Sequence, residues 1–372
     1  MKLLIQFLLV VQLTQAVAQT NPAVKKAIHT FDLGNYNKGI VEMEKIVENE
    51  SSTDNWDILI NLYYRRYKYA NAPESVETEN KRTEYFNELI YKCKTATLYS
   101  QSPLASQLLR NYFIDVHPND SIAEDAKKEY HLAEKFFKAK DYSNTKLYYL
   151  KALKIQPNYY KATIYLGDTY WYLNKIDSAI FYFKKGIAMQ PTFLEPHIYL
   201  LEALISNKKN AEVKNEFDNT LCIYPDITMF TTFANYNKKQ GIKFDRHWIK
   251  RGSEINVMGD TPKKPDNAVW LSYQTAKDDI KEFCDSDGII QNSNAFTNSK
   301  YLEVYSWEKM LNNANQLPEE FAFAKKMYDS GYLDCYVFIS AFHFDFYEQY
   351  KDFVLNNKDK IKKYVETYLM EK

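Results

Sequence analysis

Glycine and cysteine are scarce. Nine of 372 residues are Gly and four are Cys. So few Gly leave little material for tight hairpins, Gly-rich phosphate loops or dinucleotide-binding turns. Charge of one sign is missing too: Lys+Arg and Asp+Glu each number 48. A neutral chain lacks the excess Lys/Arg that phosphate binding draws on, which argues against a nucleic-acid or acidic-membrane protein. Beyond residue 18 no apolar run approaches the length of a membrane span. Catalytic signatures are absent as well. There is no G-x-S-x-G elbow, phosphate loop, dinucleotide fingerprint or H-E-x-x-H. His29, His117, His131, His197, His247 and His343 are scattered, no two at helical ligand spacing. The expectation is a chain with no metal, no cofactor and no enzymatic activity.

Two local patterns come close to chemistry. Asp285-Ser286-Asp287-Gly288 begins like a calcium loop, but Ile290 and Phe296 stand where the template needs Gly and Glu. It reads as a surface turn. His343-Phe344-Asp345 reads as part of an aromatic helix, where alternate residues do not face each other, so no dyad is expected.

What is present is a packable composition, 45% apolar and 26% charged, with 32 Tyr. Residues 1–18 read as a secretory signal peptide. Lys2 is the positive start, Leu3 to Val11 the apolar stretch, and Ala16-Val17-Ala18 the cleavage site. A periplasmic or secreted product, cleaved near Ala18, is the expectation. An exported chain could pair Cys93, Cys222, Cys284 and Cys335 in two disulfides. Their long, irregular spacings favour free or buried thiols, since a large helical core needs no staples.

The strongest signal is periodic. Pro157, Pro191 and Pro225 lie 34 residues apart. Counting back from each, Leu132, Leu166 and Leu200 align, followed by Ala133, Gly167 and Leu201, and by Phe136, Tyr170 and Leu204. Further on come Thr145, Ala179 and Val213, then Tyr149, Phe183 and Phe217, then Ala152, Gly186 and Thr220. Small residues let two helices approach, aromatics fill the space beyond, and proline ends the second helix. Gly167 inside a helix costs about 1 kcal/mol against Ala, so packing must favour it. Upstream, Ala27, Phe31, Tyr36 and Met43 line up with Ala133, Phe137, Tyr142 and Tyr149.

This pattern resembles the tetratricopeptide repeat, a helix-turn-helix unit. The best match is 160–193, with 126–159 close behind and 194–227 degenerate. The resemblance implies an all-α fold, an α-solenoid of helical hairpins, and a scaffold that binds a protein or peptide in a concave groove lined by the first helices. Projected onto this register, the groove positions are Lys127, Tyr130, Glu134, Phe137 and Lys138 in the first unit. In the second they are Lys161, Ile164, Tyr165, Asp168, Trp171 and Tyr172, and in the third Glu195, Ile198, Tyr199 and Glu202. Repeats of this family that clamp a C-terminal carboxylate use Lys, Asn and Arg. Here the matching positions hold Tyr130, Glu134, Tyr165, Glu195 and Tyr199, which would not pair a carboxylate. A polar segment with some basic residues suits this lining better.

The expected organisation is a signal peptide over 1–18, degenerate hairpins over 19–120, three repeats and a capping helix over 121–256, a linker over 257–267, and a helical C-terminal domain over 268–372. Helices are predicted over Asn55–Tyr69, Lys81–Tyr99, Ile227–Lys239, Ala268–Cys284, Tyr301–Asn313, Pro318–Tyr328, Tyr332–Phe353 and Lys358–Glu371, with a short helix between Pro103 and His117-Pro118. Asn71 to Asn80 reads as a loop. The competing function is a glycan-binding or hydrolytic C-terminal module, with Trp270, Trp307 and Tyr336 stacking on sugar rings and the repeats as an arm.

Overall fold

The computed structural model describes residues 21–69, 76–116, 121–252, 268–291, 299–313 and 317–371. The signal-peptide segment, the 257–267 linker and His117-Pro118 lie outside them. The described fold is all-α. Strands are confined there to two two-residue segments, Lys243–Phe244 and Met370–Glu371.

Contacts divide the chain into two compact units. One is Arg110–Lys243. The other joins the described residues up to Leu109 with those from Phe244 onward. This partition differs from the linear one expected, in which 19–120 continues the repeat stack and 268–372 stands apart.

The Arg110–Lys243 unit holds helices α6 (Glu124–Lys138), α7 (Tyr142–Ile155), α8 (Tyr160–Tyr172), α9 (Ile176–Met189), α10 (Leu194–Ser206), α11 (Asn210–Leu221) and α12 (Ile227–Lys239). From α6 to α11 each helix packs on the next, and α12 closes against α10 and α11. The aligned positions are the core: Ala133, Tyr149, Ala152, Leu166, Ala179, Phe183, Leu200, Val213 and Phe217 are all buried. Fully burying a side chain such as Phe183 contributes about 2–3 kcal/mol. Phe136 and Tyr170 are half-buried instead. They stack on Tyr148 and Tyr182, at 5.1 and 5.4 Å between ring centres.

Each hairpin turns through one left-handed residue. Lys140, Asn174 and Lys208, spaced like the prolines, have φ of 60°, 56° and 55°. Their N–H groups donate to the carbonyls of Phe137, Trp171 and Ile205, and the next N–H reaches back to Phe136, Tyr170 and Leu204. These bonds satisfy carbonyls that a helix end leaves open. Asp141 and Asp226 then cap α7 and α12 by accepting from Asn144 N and Thr228 N at 3.1 and 2.8 Å.

In the second unit, α1 (Pro22–Asp32) and α2 (Tyr36–Asn49) form a hairpin of the same design. Gly34 takes the left-handed position at φ 88°. Gly39 takes the close-contact position, where a Cβ would stand 2.7 Å from Phe31 Cβ. Of the residues aligned with the first repeat, Ala27, Phe31 and Met43 are buried and Tyr36 is exposed. Then come α3 (Thr53–Tyr69) and α4 (Val76–Tyr99). The latter begins inside the expected 71–80 loop. Helix α5 (Pro103–Phe113) follows. Downstream, α13 (Ala268–Ile280) packs on α14 (Leu302–Asn313), followed by α15 (Ala322–Asp329).

The helix expected over Tyr332–Phe353 is broken. It starts as α16 (Leu333–Cys335), widens into a π-helix over Tyr336–Ser340, and resumes as α17 (Tyr347–Asn356) after a 3₁₀ turn at Phe344–Phe346. Likewise α18 (Lys358–Tyr364) widens into a π-helix over Val365–Leu369. The four cysteines are free thiols, Cys93 and Cys335 buried.

Candidate functional site

The first helices of the repeats place the predicted groove residues along α6, α8 and α10. The central helix, α8, is buried continuously from Ala162 to Thr169. That corrects the picture of an open lining. Tyr130 and Tyr165 are only 9% exposed, Tyr199 3% and Asp168 0%, because neighbouring helices close over them. Phe137, Ile164 and Ile198 are core as well. Lys127, Glu134, Lys161, Trp171, Glu195 and Glu202 are partly exposed, and Lys138 and Tyr172 are exposed.

The tyrosines form the floor. Tyr130 sits 5.7 Å from Tyr149, 5.1 Å from Tyr159 and 6.4 Å from Tyr165, ring centre to ring centre. Tyr149 donates its hydroxyl to Glu134, and Tyr199 donates to Glu195 Oε1 at 2.9 Å. At the other end Tyr172 lies parallel to Tyr142 at 4.8 Å and edge-on to Phe137 at 5.4 Å. Carboxylates run through this floor. Burial first, then Glu195, pushes the Tyr165 and Tyr199 hydroxyls well above the usual phenol range. Burial and then Glu134 raises Tyr159 to about 12. Burial, then Asp168, raises Tyr172 to about 12, with Glu202 adding to it. Acids on three successive first helices thus bias one continuous set of rings. Of the rim cations, Lys127 is already held by Glu124 at 2.7 Å.

Beside this floor lies a node that no sequence signal marked. Arg110 is buried between Asp115 and Asp226, at 3.2 and 3.4 Å. Asp115 Oδ1 accepts the Leu194 N–H at 2.6 Å, tying the start of α10 to the node. Burial pushes Asp115 up to about 7 against the pull of Arg110. On α10, His197 meets Glu216 of α11 at 2.6 Å.

The second unit holds another unforeseen constellation. The Glu303 carboxylate, fully buried, accepts from Arg251 at 2.8 Å, Lys277 at 3.1 Å, Tyr273 at 2.7 Å and Trp307 Nε1 at 3.1 Å. Burial alone would raise its pKa. Lys277 and Arg251 outweigh that and hold it at about 2. A carboxylate so saturated with donors stays ionised and has no proton to trade, so it serves packing rather than acid–base chemistry. Trp270, Trp307 and Tyr336 are 2%, 0% and 1% exposed, built into the same core. They cannot stack on sugar rings as the competing reading required.

The two near-motifs resolve differently. Asp285 accepts from the N–H groups of Asp287 and Ile289, both at 2.9 Å, and Gly288 has φ 76°. This is the surface turn expected. His343, by contrast, is not helical. At φ −136° and ψ 148° it caps the Phe344–Phe346 turn, which brings its Nδ1 to 3.3 Å from Asp345. Lys94 completes the set, its carbonyl 3.0 Å from His343 Nε2 and its Nζ 2.8 Å from Asp345. The pair does meet, because the backbone extends where a continuous helix was expected.

Comparison with known proteins bears on the repeat unit. The family profile described as tetratricopeptide repeat matches residues 166–193. No curated protein matches the chain. Among solved structures, the TPR2AB-domain:pHSP90 complex of yeast Sti1 is 14% identical, covering 61% of this chain and 95% of that one, at a TM-score of 0.26. Pseudomonas aeruginosa pilF is 14% identical, covering 62% and 91%, at 0.25. The C-terminal part of a TPR repeat-containing protein from Cytophaga hutchinsonii is 13% identical, covering 80% and 97%, at 0.25. The profile match falls on α8 and α9, the hairpin that carries Leu166, Gly167, Tyr170, Ala179, Phe183, Gly186 and Pro191. The α8–α9 hairpin is therefore a tetratricopeptide-type repeat.

Proposed function

We propose that the protein is an exported scaffold that holds a basic segment of a partner protein along the first-helix face of its repeats. The observation that carries this reading is the acidic, tyrosine-floored face on which Glu134, Glu195 and Glu202 are partly exposed. Its aromatic end at Trp171 and Tyr172 stays accessible. A Lys or Arg side chain can lay its methylene stem and charge on such rings while its head meets a carboxylate. Export rests on residues 1–18, and N-terminal sequencing of protein recovered outside the cytoplasm checks it. The expected mature start is Gln19.

The test of binding is titration of a lysine-rich peptide into the chain, followed by calorimetry. Trp171→Ala with Tyr172→Ala should weaken binding by about 2 kcal/mol or more, the range of an aromatic anchor. Unchanged affinity would refute the face as the site.

A further inference from the structure

The opposite, second-helix face carries its own anomaly. Leu147 on α7 is 45% exposed, and Phe181 at the matching place on α9 is 62% exposed. Leu150 and Ile155 of α7 are 37% and 46% exposed. One exposed leucine needs no explanation, but recurrence at one register position in adjacent repeats does. The third repeat ends the series with Asn215.

Charge follows the same stripe. Helix α7 carries Lys146, Lys151 and Lys154 and no acid. Lys185 on α9 repeats Lys151 one unit later. Lys151 sits 4.4 Å over the Tyr148 ring, which is itself stacked on Phe136. Tyr182, stacked on Tyr170, occupies the same place in the next repeat.

We propose that this face of α7 and α9 docks on an anionic lipid bilayer. Lysines around protruding Leu, Ile and Phe side chains match the phosphate layer and the acyl boundary beneath it. Tyrosine rings suit that interface, apolar in body and polar at the tip. A fluid surface moulds to side chains that stand out from a helix, whereas a protein partner needs a complementary groove. The zero net charge of the chain does not oppose this, because it averages over basic helices such as α7 and acidic ones such as α10.

The test is co-sedimentation of the chain from Gln19 onward, which keeps every described residue, with phosphatidylcholine vesicles with and without phosphatidylglycerol. Partition should require phosphatidylglycerol and fade with added salt. Lys151→Gln with Lys154→Gln should lower it roughly thirtyfold. Leu147→Ser with Phe181→Ser should lower it about tenfold or more, while Tyr172→Ala should leave it unchanged. These stripe residues are exposed, and circular dichroism confirms that the variants stay helical. Absence of partition at low salt, equal partition into phosphatidylcholine alone, or indifference to both stripe variants overturns the proposal. So does capture of a polyglutamate peptide by the stripe without vesicle binding, which would make its partner an acidic protein segment.

Discussion

At Gly167 a methyl group has nowhere to go. A Cβ there would lie 2.7 Å from Phe183 Cε1, and Phe183 is fully buried. Gly167→Ala gains about 1 kcal/mol of helix propensity but overpacks a site that cannot relax, at a cost of about 1–3 kcal/mol. A net loss of up to about 2 kcal/mol is expected, read as a lower urea midpoint at unchanged slope. That residue was legible in sequence, because periodicity marked it and glycine in a helix has few other reasons. Glu303 was not. Arg251, Lys277 and Glu303 lie outside the 34-residue repeats, so no repeat position marked them. Glu303→Gln leaves buried Arg251 and partly buried Lys277 without their counter-charge and should cost about 3–5 kcal/mol. Asp115 is a residue of the same hidden kind with a pH signature. Its folded pKa, about 7, stands above the ordinary value of 3.8. Its contribution is therefore fully present below about 4 and is lost as pH rises through about 7. Asp115→Asn, which keeps an oxygen for Leu194 N–H, should flatten that part of the melting-temperature profile between pH 4 and 7. An unchanged slope there would discount the node.

The elements divide by whether local chemistry or distant packing sets them. The repeat hairpins follow from spacing, while the left-handed turns at Lys140, Asn174 and Lys208 emerge only in the structure. A lysine held left-handed costs about 1–2 kcal/mol, part of which glycine would return at the expense of unfolded-chain entropy. Lys208→Gly should therefore raise stability by about 0.5–1 kcal/mol, measurable by chemical denaturation. Asn174→Gly should change less, since Asn tolerates this conformation better. Residues 332–353 show the other case. Their aromatic run has helical periodicity, yet π-turns and the extended His343 interrupt it. The interruption lets His343 and Asp345 reach Lys94 on α4, a contact 249 residues away in sequence. No local pattern encodes such a partner. The same holds for the first-helix face. Sequence placed its residues in one row, but only packing showed Asp168, Tyr165 and Tyr199 to be floor rather than lining.

For the molecule as a whole, zero net charge is an average over faces that differ. Within the repeat unit, α10 carries Glu195 and Glu202 with no Lys or Arg, while α7 carries three lysines and no acid. Neutrality read from composition thus excluded a uniformly basic surface and left local polarity unseen. The polarity has a measurable consequence for the proposed partner. The acids of the first-helix face are partly solvated at Glu195 and Glu202, so a basic peptide should feel them through a screened field. The Debye length falls from about 10 Å at 0.1 M salt to about 3 Å at 1 M. Affinity for a lysine-rich peptide should drop across that range, and the drop should come mostly from these two residues. Glu195→Gln with Glu202→Gln should weaken binding at low salt and remove most of the salt dependence, leaving the aromatic contribution of Trp171 and Tyr172 in place. If the double variant kept the full salt slope, the attraction would have to come from other acids, and the first-helix face would lose its claim to the basic segment.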